Sequence, residues 1–257
     1  MIISTISPIT SLSSFYKNAN QSGFANISCA FSSAKKAKKS DIQVNGTVPK
    51  FERDSYYNQL LYIDKYVNPK VVKKAIKKNP NITKILNEHG LTPRISKKNI
   101  NEQAKMHMFA TYLYAKDVAE SIKLDEKKSE TLCNAALLHD IGKSLIPKEI
   151  VQKPSKLTPD ERKIIDLHSE LGYEILKTTD VPIEVAKLVK DHHESKENKR
   201  NDKISLILSV VDVFSALKEK RVYKPAMQDK EAFDIMKESE KLSQFFVYVL
   251  KGCRNKK

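Results

Sequence analysis

Apolar residues recur at helical spacing along most of the chain. Within the first hundred residues they form three short groups, separated by the steps Asn68-Pro69 and Asn79-Pro80. Asn is a favoured N-cap and Pro a favoured first helical residue, so each step predicts a helix start. The third group ends near Gly90. The three groups are Leu60, Leu61, Ile63 and Tyr66; Val71, Val72, Ala75 and Ile76; and Ile82, Ile85 and Leu86.

From about residue 100 onward the helical pattern is strong, and no sustained alternation of period two predicts a strand. The clearest helix start is Thr158-Pro159-Asp160-Glu161, with an N-cap Thr, Pro at the first helical position and Glu three residues after the cap. The pattern predicts an all-α fold. We expect a helical bundle over residues 100–257, preceded by a short helical extension over residues 51–99.

Residues 1–50 differ from the rest because they are rich in Ser, Asn and Lys and show no period. We predict that they form a disordered basic tail. Residues 1–100 contain 17 Lys and Arg against 5 Asp and Glu, whereas residues 101–257 contain 29 against 26. A basic N-terminal segment of this kind either attracts nucleic acid or anionic lipid, or is a solvated, lysine-rich surface. Without a nucleic-acid motif, we favour the solvated surface.

The spacing of the cysteines and the hydropathy of the chain indicate the cellular compartment in which the protein resides. Cys29, Cys133 and Cys253 are widely spaced and form no C-x-x-C motif, which favours a reducing environment. No apolar run is long enough to span a membrane, and the start of the chain lacks the basic and apolar regions of a secretory signal. We therefore expect a cytoplasmic protein.

The most specific local signal is the stretch His139-Asp140-Ile141-Gly142-Lys143, which follows the apolar run 135–138. This run predicts a buried helix with the His-Asp pair at its C-terminal end. We expect Gly142 to end the helix in the left-handed conformation. Lys143 then emerges beside the pair, where it can meet a phosphate oxygen.

Other ionisable residues also fall on apolar helical faces. His107, His168 and the His192-His193 pair each occupy a different predicted helix, and Asp212 lies inside the apolar run 204–217. One inward histidine is more often a satisfied core residue than a ligand. Five histidines and two aspartates that point inward are costly to bury without a cation, so the set favours a metal site.

The segment from about residue 100 to 250 resembles the HD superfamily of metal-dependent phosphohydrolases, specifically its HD-GYP branch. The stretches that carry the resemblance follow the family's order. They are His107; His139-Asp140-Ile141-Gly142-Lys143; Lys153-Pro154-Ser155-Lys156-Leu157-Thr158 before His168-x-x-x-Gly172; His192-His193-Glu194; Asp212-Val213-Phe214-Ser215-Ala216-Leu217; and Arg221-Val222-Tyr223-Lys224-Pro225-Ala226.

The resemblance implies a helical HD domain with two divalent metal ions (Fe, Mn or Zn) and a water nucleophile activated between them. It implies that Asp140 bridges the ions. The remaining ligands implied are His107, His139 and Asp212 for one ion and His168, His192 and His193 for the other.

The resemblance also implies residues that hold the substrate. Lys143 adds a positive charge at the phosphate and acts with Asp140 in catalysis. Arg221 and Lys224 are candidate substrate-binding residues, with a surface loop held by ion pairs as the alternative.

The chain departs from the family at two places. The family's loop after His-His-Glu contains Asp-Gly-x-Gly-Tyr-Pro, whereas residues 195–202 here lack Gly-Tyr-Pro. Some members carry a Glu one turn before the first His, which supports a third metal. Gln103 stands there in this chain, and glutamine is a poor ligand, so we expect two metals.

These observations predict a metal-dependent phosphohydrolase, with a cyclic dinucleotide such as cyclic di-GMP as one substrate class. Two alternatives stay open: an HD-family enzyme that acts on another nucleotide or phosphorylated small molecule, and a non-catalytic signalling regulator with the same fold. The N-terminal region leaves open a homo-oligomer or a signalling partner.

Overall fold

The computed structural model describes residues 50–99, 101–193, 202–219 and 226–256. Four predictions therefore fall wholly or largely outside the described residues. They concern the basic tail over residues 1–50, the loop that replaces the Gly-Tyr-Pro segment, and the candidate substrate-binding residues Arg221 and Lys224.

Three helices form the N-terminal extension, with boundaries at the predicted steps. They are α1 (Lys50–Tyr66), α2 (Pro69–Lys78) and α3 (Pro80–Glu88). The Asn68 side chain accepts hydrogen bonds from the backbone amides at the start of α2, and the Asn79 side chain caps α3 in the same way. These bonds satisfy amide groups that have no partner inside the helix, and the two predicted helix starts are confirmed.

The bundle contains eight further α-helices in the part of the chain that the structure describes, and no strand occurs there. The predicted start at Thr158 is confirmed, because Thr158 and Glu161 form a capping box. The all-α prediction is likewise confirmed. The helices are α4 (Glu102–Ser121), α5 (Glu126–Leu138), α6 (Lys148–Val151), α7 (Pro159–Leu176), α8 (Ile183–Asp191), α9 (Lys203–Lys218), α10 (Asp229–Lys237) and α11 (Gln244–Asn255).

Two short 3-10 segments complete the described structure: Lys97–Asn99, before α4, and Ile141–Leu145, after α5. Helix α4 lies at the centre of the bundle, where α5, α9 and α11 pack around it. Helix α7 packs against α8 and against the segment Ile141–Leu145. This arrangement brings the ends of α5 and α8 to the same region as the N-terminal third of α4 and the middle of α7 and α9.

The extension and the bundle share one hydrophobic core. Ile63, Val72 and Ile82 are fully buried in the same cluster as Leu138 and Phe214. Helix α1 packs against α5, and α2 and α3 pack against α7. The division of the chain at residue 99 stays a prediction, but burial of this apolar surface stabilises both parts together.

Polar contacts also join the extension to the bundle. Nδ2 of Asn79 donates to the backbone oxygen of Glu174 at 3.0 Å and to its Oε2 at 2.6 Å. Nζ of Lys105 donates to the carboxylate of Asp64. Within the described ranges, no helix has the length and apolar character that a bilayer crossing requires.

Candidate metal centre and active-site cleft

The His-Asp pair lies at the end of a buried helix. Helix α5 ends at Leu138, and its last turn is buried because it packs between α4, α8 and α9. His139 follows as the C-terminal cap. Its Nδ1 lies 2.9 Å from the backbone oxygen of Ala136. A carbonyl can only accept, so Nδ1 carries the proton and Nε2 of the neutral ring presents a lone pair to the interior.

Two more imidazoles repeat this arrangement on other helices. Nδ1 of His168 lies 2.5 Å from the backbone oxygen of Ile165, and Nδ1 of His192 lies 2.6 Å from that of Val189. The hydrogen bond at Nδ1 fixes the tautomer and the ring orientation of a ligating histidine. The local helix geometry therefore prepares Nε2 of each ring to bind a metal ion.

Near the first group of ligands, Nε2 of His107 lies 3.0 Å from Oδ1 of Asp212 and 3.3 Å from Nε2 of His139. Nε2 of His139 lies 3.4 Å from the same Asp212 oxygen. Donors about 2.1 Å from a shared ion lie about 3.0–3.4 Å from one another in octahedral or tetrahedral coordination. The observed distances therefore fit donors that share a cation.

A second group forms on the other side of Asp140. Nε2 of His168 lies 3.3 Å from Nε2 of His192 and 3.1 Å from Nε2 of His193. Ligand atoms of these three residues all lie within 4.8 Å of one another, as do those of His107, His139 and Asp140. Two unprotonated ring nitrogens repel each other at such distances unless a cation or a proton lies between them.

The carboxylate of Asp140 lies between the two groups. Its Oδ2 is 3.8 Å from Nε2 of His107 and 2.7 Å from Nζ of Lys143. Its Oδ1 is 3.4 Å from Nε2 of His168 and 3.6 Å from Nε2 of His139. This buried Oδ1 accepts no hydrogen bond from any described residue. An unpaired buried carboxylate oxygen is costly, so the residues present fit cations at this position.

The charge state of the carboxylates suits cation binding. Burial alone would raise the pKa of Asp140, but the charge of Lys143 and the neighbouring imidazoles outweigh it and hold the pKa well below its usual value. Burial opposes ionisation of Asp212 too, yet the adjacent imidazoles of His107 and His139 bring its pKa well below the usual value. Both carboxylates are therefore anionic at neutral pH.

Most of the imidazoles are held in the neutral form. Burial lowers the pKa of His168 to about 3 and that of His192 well below its usual value. Desolvation lowers the pKa of His193 as well. His139 is the exception: burial lowers its pKa, but the adjacent Asp140 and other acceptors raise it overall. Neutral imidazoles are the form that binds a metal ion.

Gly142 has a different role from the predicted one. The predicted left-handed conformation is wrong, because Gly142 belongs to a 3-10 turn, and the positive φ of a glycine in the described residues occurs at Gly90. A Cβ atom at Gly142 would lie 1.9 Å from the backbone oxygen of His168 and 2.7 Å from the amide nitrogen of Gly172. The missing side chain allows the turn to approach the backbone of α7.

A cleft of about 420 Å³ opens beside His107 and Asp140. Nζ of Lys143 bonds Asp140 in this cleft, and Lys153 lies on its wall. Nζ of Lys153 also pairs with Glu161 at 2.6 Å. The cleft therefore combines a candidate metal centre with the ammonium groups of two lysines. Such an environment attracts a phosphorylated ligand.

Several residues on the cleft wall could not be identified from the sequence. No motif distinguishes Asn99 or Gln152, because tertiary packing alone places them there. For Lys153 the sequence did contain an indication, because this residue belongs to the stretch Lys153–Thr158 that carries part of the family resemblance. Gln103 lines the cleft and donates to Oε1 of Glu219 at 2.8 Å.

The structure brings all seven predicted metal ligands together, although they come from five separate regions of the chain. Lys143 lies in contact with them, through Asp140. Arg221 and Lys224 lie outside the described residues, so their predicted contact with substrate stays a prediction.

Comparisons with known proteins agree with this geometry. The HD domain family model matches residues 91–245. A 3'3'-cGAMP-specific phosphodiesterase 2 of Vibrio cholerae is 35% identical over 136 residues, which cover 49% of this chain and 26% of that protein. The cyclic di-GMP phosphodiesterase response regulator RpfG of Xanthomonas campestris is 38% identical over 120 residues, which cover 42% and 32%. A cyclic di-GMP phosphodiesterase of Thermotoga maritima is 36% identical over 137 residues, which cover 49% and 36%.

The chain therefore belongs to the HD domain family, a family of metal-dependent phosphohydrolases. The matches span between 26% and 36% of these three relatives' own lengths. The family match over residues 91–245 includes all the His and Asp residues of the two groups.

Proposed function

We propose that this chain hydrolyses a phosphoester at a dinuclear metal centre and that a cyclic dinucleotide is its substrate. One observation carries the proposal: the carboxylate of Asp140 lies between two groups of histidine nitrogens, within 3.4 Å of His168 on one side and 3.8 Å of His107 on the other. A carboxylate shared between two cations is a recurring feature of two-metal hydrolases.

In this proposal the two groups hold one ion each, and Asp140 contributes to both. When bound, the ions polarise the phosphoryl oxygens and lower the pKa of the attacking water. Nitrogen and carboxylate donors suit Fe, Mn or Zn. The ligands proposed are His107, His139 and Asp212 for one ion and His168, His192 and His193 for the other.

The residues of the chain supply the rest of the chemistry. Nζ of Lys143 is held at the cleft by Asp140 and is placed to donate to a phosphoryl oxygen as negative charge develops there. Lys153 adds a second positive charge on the cleft wall. We further propose Arg221 and Lys224 as substrate contacts. Six of the seven proposed ligands are buried, whereas His193 is exposed, contrary to the predicted inward position. The buried six limit the access of bulk water on their side of the cleft, which strengthens these electrostatic contacts.

The choice of a cyclic dinucleotide rests on the relatives, which are named phosphodiesterases of cyclic di-GMP and 3'3'-cGAMP. The sequence over residues 195–202 favours a second candidate, a different phosphorylated small molecule, because Gly-Tyr-Pro is missing there. The two candidates share the metal centre and differ only in the groups that bind the remainder of the substrate.

The test combines metal content with a substrate panel. Protein purified without chelator is analysed for Fe, Mn and Zn, and is then assayed with cyclic di-GMP, 3'3'-cGAMP, cyclic di-AMP and mononucleotides. We expect about two metal equivalents and turnover of at least one cyclic dinucleotide. Asp140→Ala is expected to lose both properties. Asp234→Ala, at a surface carboxylate, is the matched control and keeps both.

Each contrary outcome has a specific meaning. Turnover of a mononucleotide alone would replace the substrate class and keep the chemistry. Bound metal without turnover of any phosphoester would favour the non-catalytic regulator. Failure to bind or take up metal would overturn the dinuclear centre itself.

A further inference from the structure

Asn99 is a buried residue at the junction between the N-terminal extension and α4, and it exposes only 5% of its surface. Its Nδ2 donates to the backbone oxygen of Lys143 at 2.8 Å and to that of Ile146 at 2.7 Å. Both partners are carbonyl oxygens, which can only accept. The amide NH₂ must therefore face them, and the orientation of the side chain is determined.

These bonds hold a segment that has little support of its own. The 3-10 turn Ile141–Leu145 contains hydrogen bonds from the amide of Lys143 to the oxygen of Asp140 at 3.0 Å and from the amide of Ile146 to the oxygen of Lys143 at 3.2 Å. Runs of 3-10 geometry are weakly bonded. The amide of Ser96 donates to the oxygen of Ser144 at 2.8 Å, so residues 96–99 clamp the turn at several points.

The clamped peptide is the one that bears Lys143. The carbonyl of Lys143 accepts from Asn99, while the side chain of the same residue reaches Oδ2 of Asp140 at 2.7 Å. Asn99, Asp140 and Lys143 all line the cleft. A shift of this backbone would therefore move the ammonium group away from the position that a phosphate oxygen requires.

Stability alone is a poor explanation for this asparagine. Its Oδ1 is buried and accepts no hydrogen bond from the residues that the structure describes. An unsatisfied buried acceptor is destabilising, because it loses its hydrogen bonds to water without replacement. A polar group that carries such a cost beside an active-site cleft indicates a functional constraint.

We propose that Asn99 is a positioning residue, which fixes the backbone of Lys143 so that its ammonium group meets the phosphate of the substrate. The inference deepens the proposed function and rests on it for the identity of the ligand. It also makes the end of the N-terminal extension, residues 96–99, a structural part of the active site.

The first experiment measures the clamp without reference to catalysis. Hydrogen–deuterium exchange of the full chain is compared for wild type, Asn99→Ala, Asn99→Asp and Asn101→Ala. The change to aspartate keeps the size of the side chain but removes both donors. Asn101→Ala is the control for exchange, because Asn101 lines the same cleft but bonds the amide of Ala104 at the start of α4 and not the 3-10 turn. We expect both Asn99 variants to speed exchange at residues 141–146 by about 5-fold, as loss of a typical hydrogen bond implies.

The second experiment measures whether the clamp acts through Lys143. Binding of inorganic phosphate to the metal-loaded protein is measured by calorimetry for wild type, Asn99→Ala, Lys143→Ala and the double variant. We expect Asn99→Ala to weaken phosphate about 5-fold in wild type and to have almost no further effect once Lys143 is gone. Asn68→Ala removes the N-cap of α2, which does not line the cleft, and is expected to leave phosphate affinity unchanged.

The outcomes separate the inference from the proposed function. Unchanged exchange at residues 141–146 in both Asn99 variants would overturn the clamp. Faster exchange with unchanged phosphate affinity, or additive losses in the double variant, would overturn the role in positioning Lys143. Coupled losses in a protein that hydrolyses no phosphoester would support the inference while the proposed activity failed.

Discussion

The main chain of Gly142 lies so close to the main chain of His168 that a Cβ atom at Gly142 would stand 1.9 Å from the His168 carbonyl oxygen. This contact joins the turn that carries Asp140 and Lys143 to the helix that carries His168. The position of Asp140 between the two histidine groups depends on this contact, because any side chain at residue 142 would separate the two elements.

We expect Gly142→Ala to destabilise the protein and to reduce its metal content. The new methyl group meets backbone atoms, which cannot turn aside as a side chain can, so the cost is about 1–3 kcal/mol or more. Thermal unfolding and elemental analysis would measure the two effects. Gly252→Ala is the control, because a Cβ there has no atom within 4 Å and stands in helix α11. Equal stability of the two variants would contradict the close contact.

Lys143→Met is expected to lower kcat/KM for phosphoester hydrolysis by about 10²-fold while the metal content stays near that of wild type. Methionine keeps most of the apolar stem but removes the charge that now pairs with Asp140. Lys148→Met, at an exposed lysine five residues further on, provides the control. Steady-state kinetics would decide, and an unchanged kcat/KM would remove Lys143 from the proposed catalytic set.

The metal-free protein is expected to lose stability as the pH falls below about 6.5, the ordinary pKa of histidine. Burial lowers the pKa of His168 to about 3 and that of His192 well below its usual value, so below pH 6.5 the unfolded chain binds protons that the folded chain does not. Each such group removes up to about 1.4 kcal/mol per pH unit. His139, whose pKa is raised, acts in the opposite direction.

Melting of chelator-treated protein at pH 7, 6 and 5 would measure this dependence. His89→Gln is the control, because His89 is exposed at the end of α3 and its removal should leave the slope unchanged. His168→Gln should reduce the slope. A melting temperature that stays constant from pH 7 to pH 5 would show that the buried imidazoles are protonated in the folded protein.

Asn79→Ala is expected to lower the free energy of unfolding by about 1–3 kcal/mol, because it removes the cap of α3 and two bonds to Glu174, one of them to a buried carboxylate. Urea denaturation would measure the loss. Asn81→Ala, two residues on at an exposed site, should be nearly neutral. If Asn79→Ala were equally neutral, the polar link between the extension and the bundle would contribute nothing to stability.

Local sequence determined much of the fold. The Asn-Pro steps and the Thr158 capping box fix helix starts because they satisfy backbone amides through residues that are neighbours in the chain. The absence of period-two patterning likewise excluded strands from the described residues. His107, His168 and Asp212 could be identified from the sequence because each falls on an apolar helical face, where an ionisable group needs a partner. The His139-Asp140 and His192-His193 pairs were recognisable because each follows an apolar helical run.

The tertiary structure alone decided how these groups meet. No spacing in the sequence reveals that Asp140 lies between His107 and His168, because that position depends on the close approach of the turn at Gly142 to α7. Asn99 carries no motif at all, since its role follows from contacts with carbonyl groups more than forty residues away. The sequence by itself determined which residues are candidate metal ligands and where helices begin; packing between distant helices determined which of those residues lie close enough to share an ion.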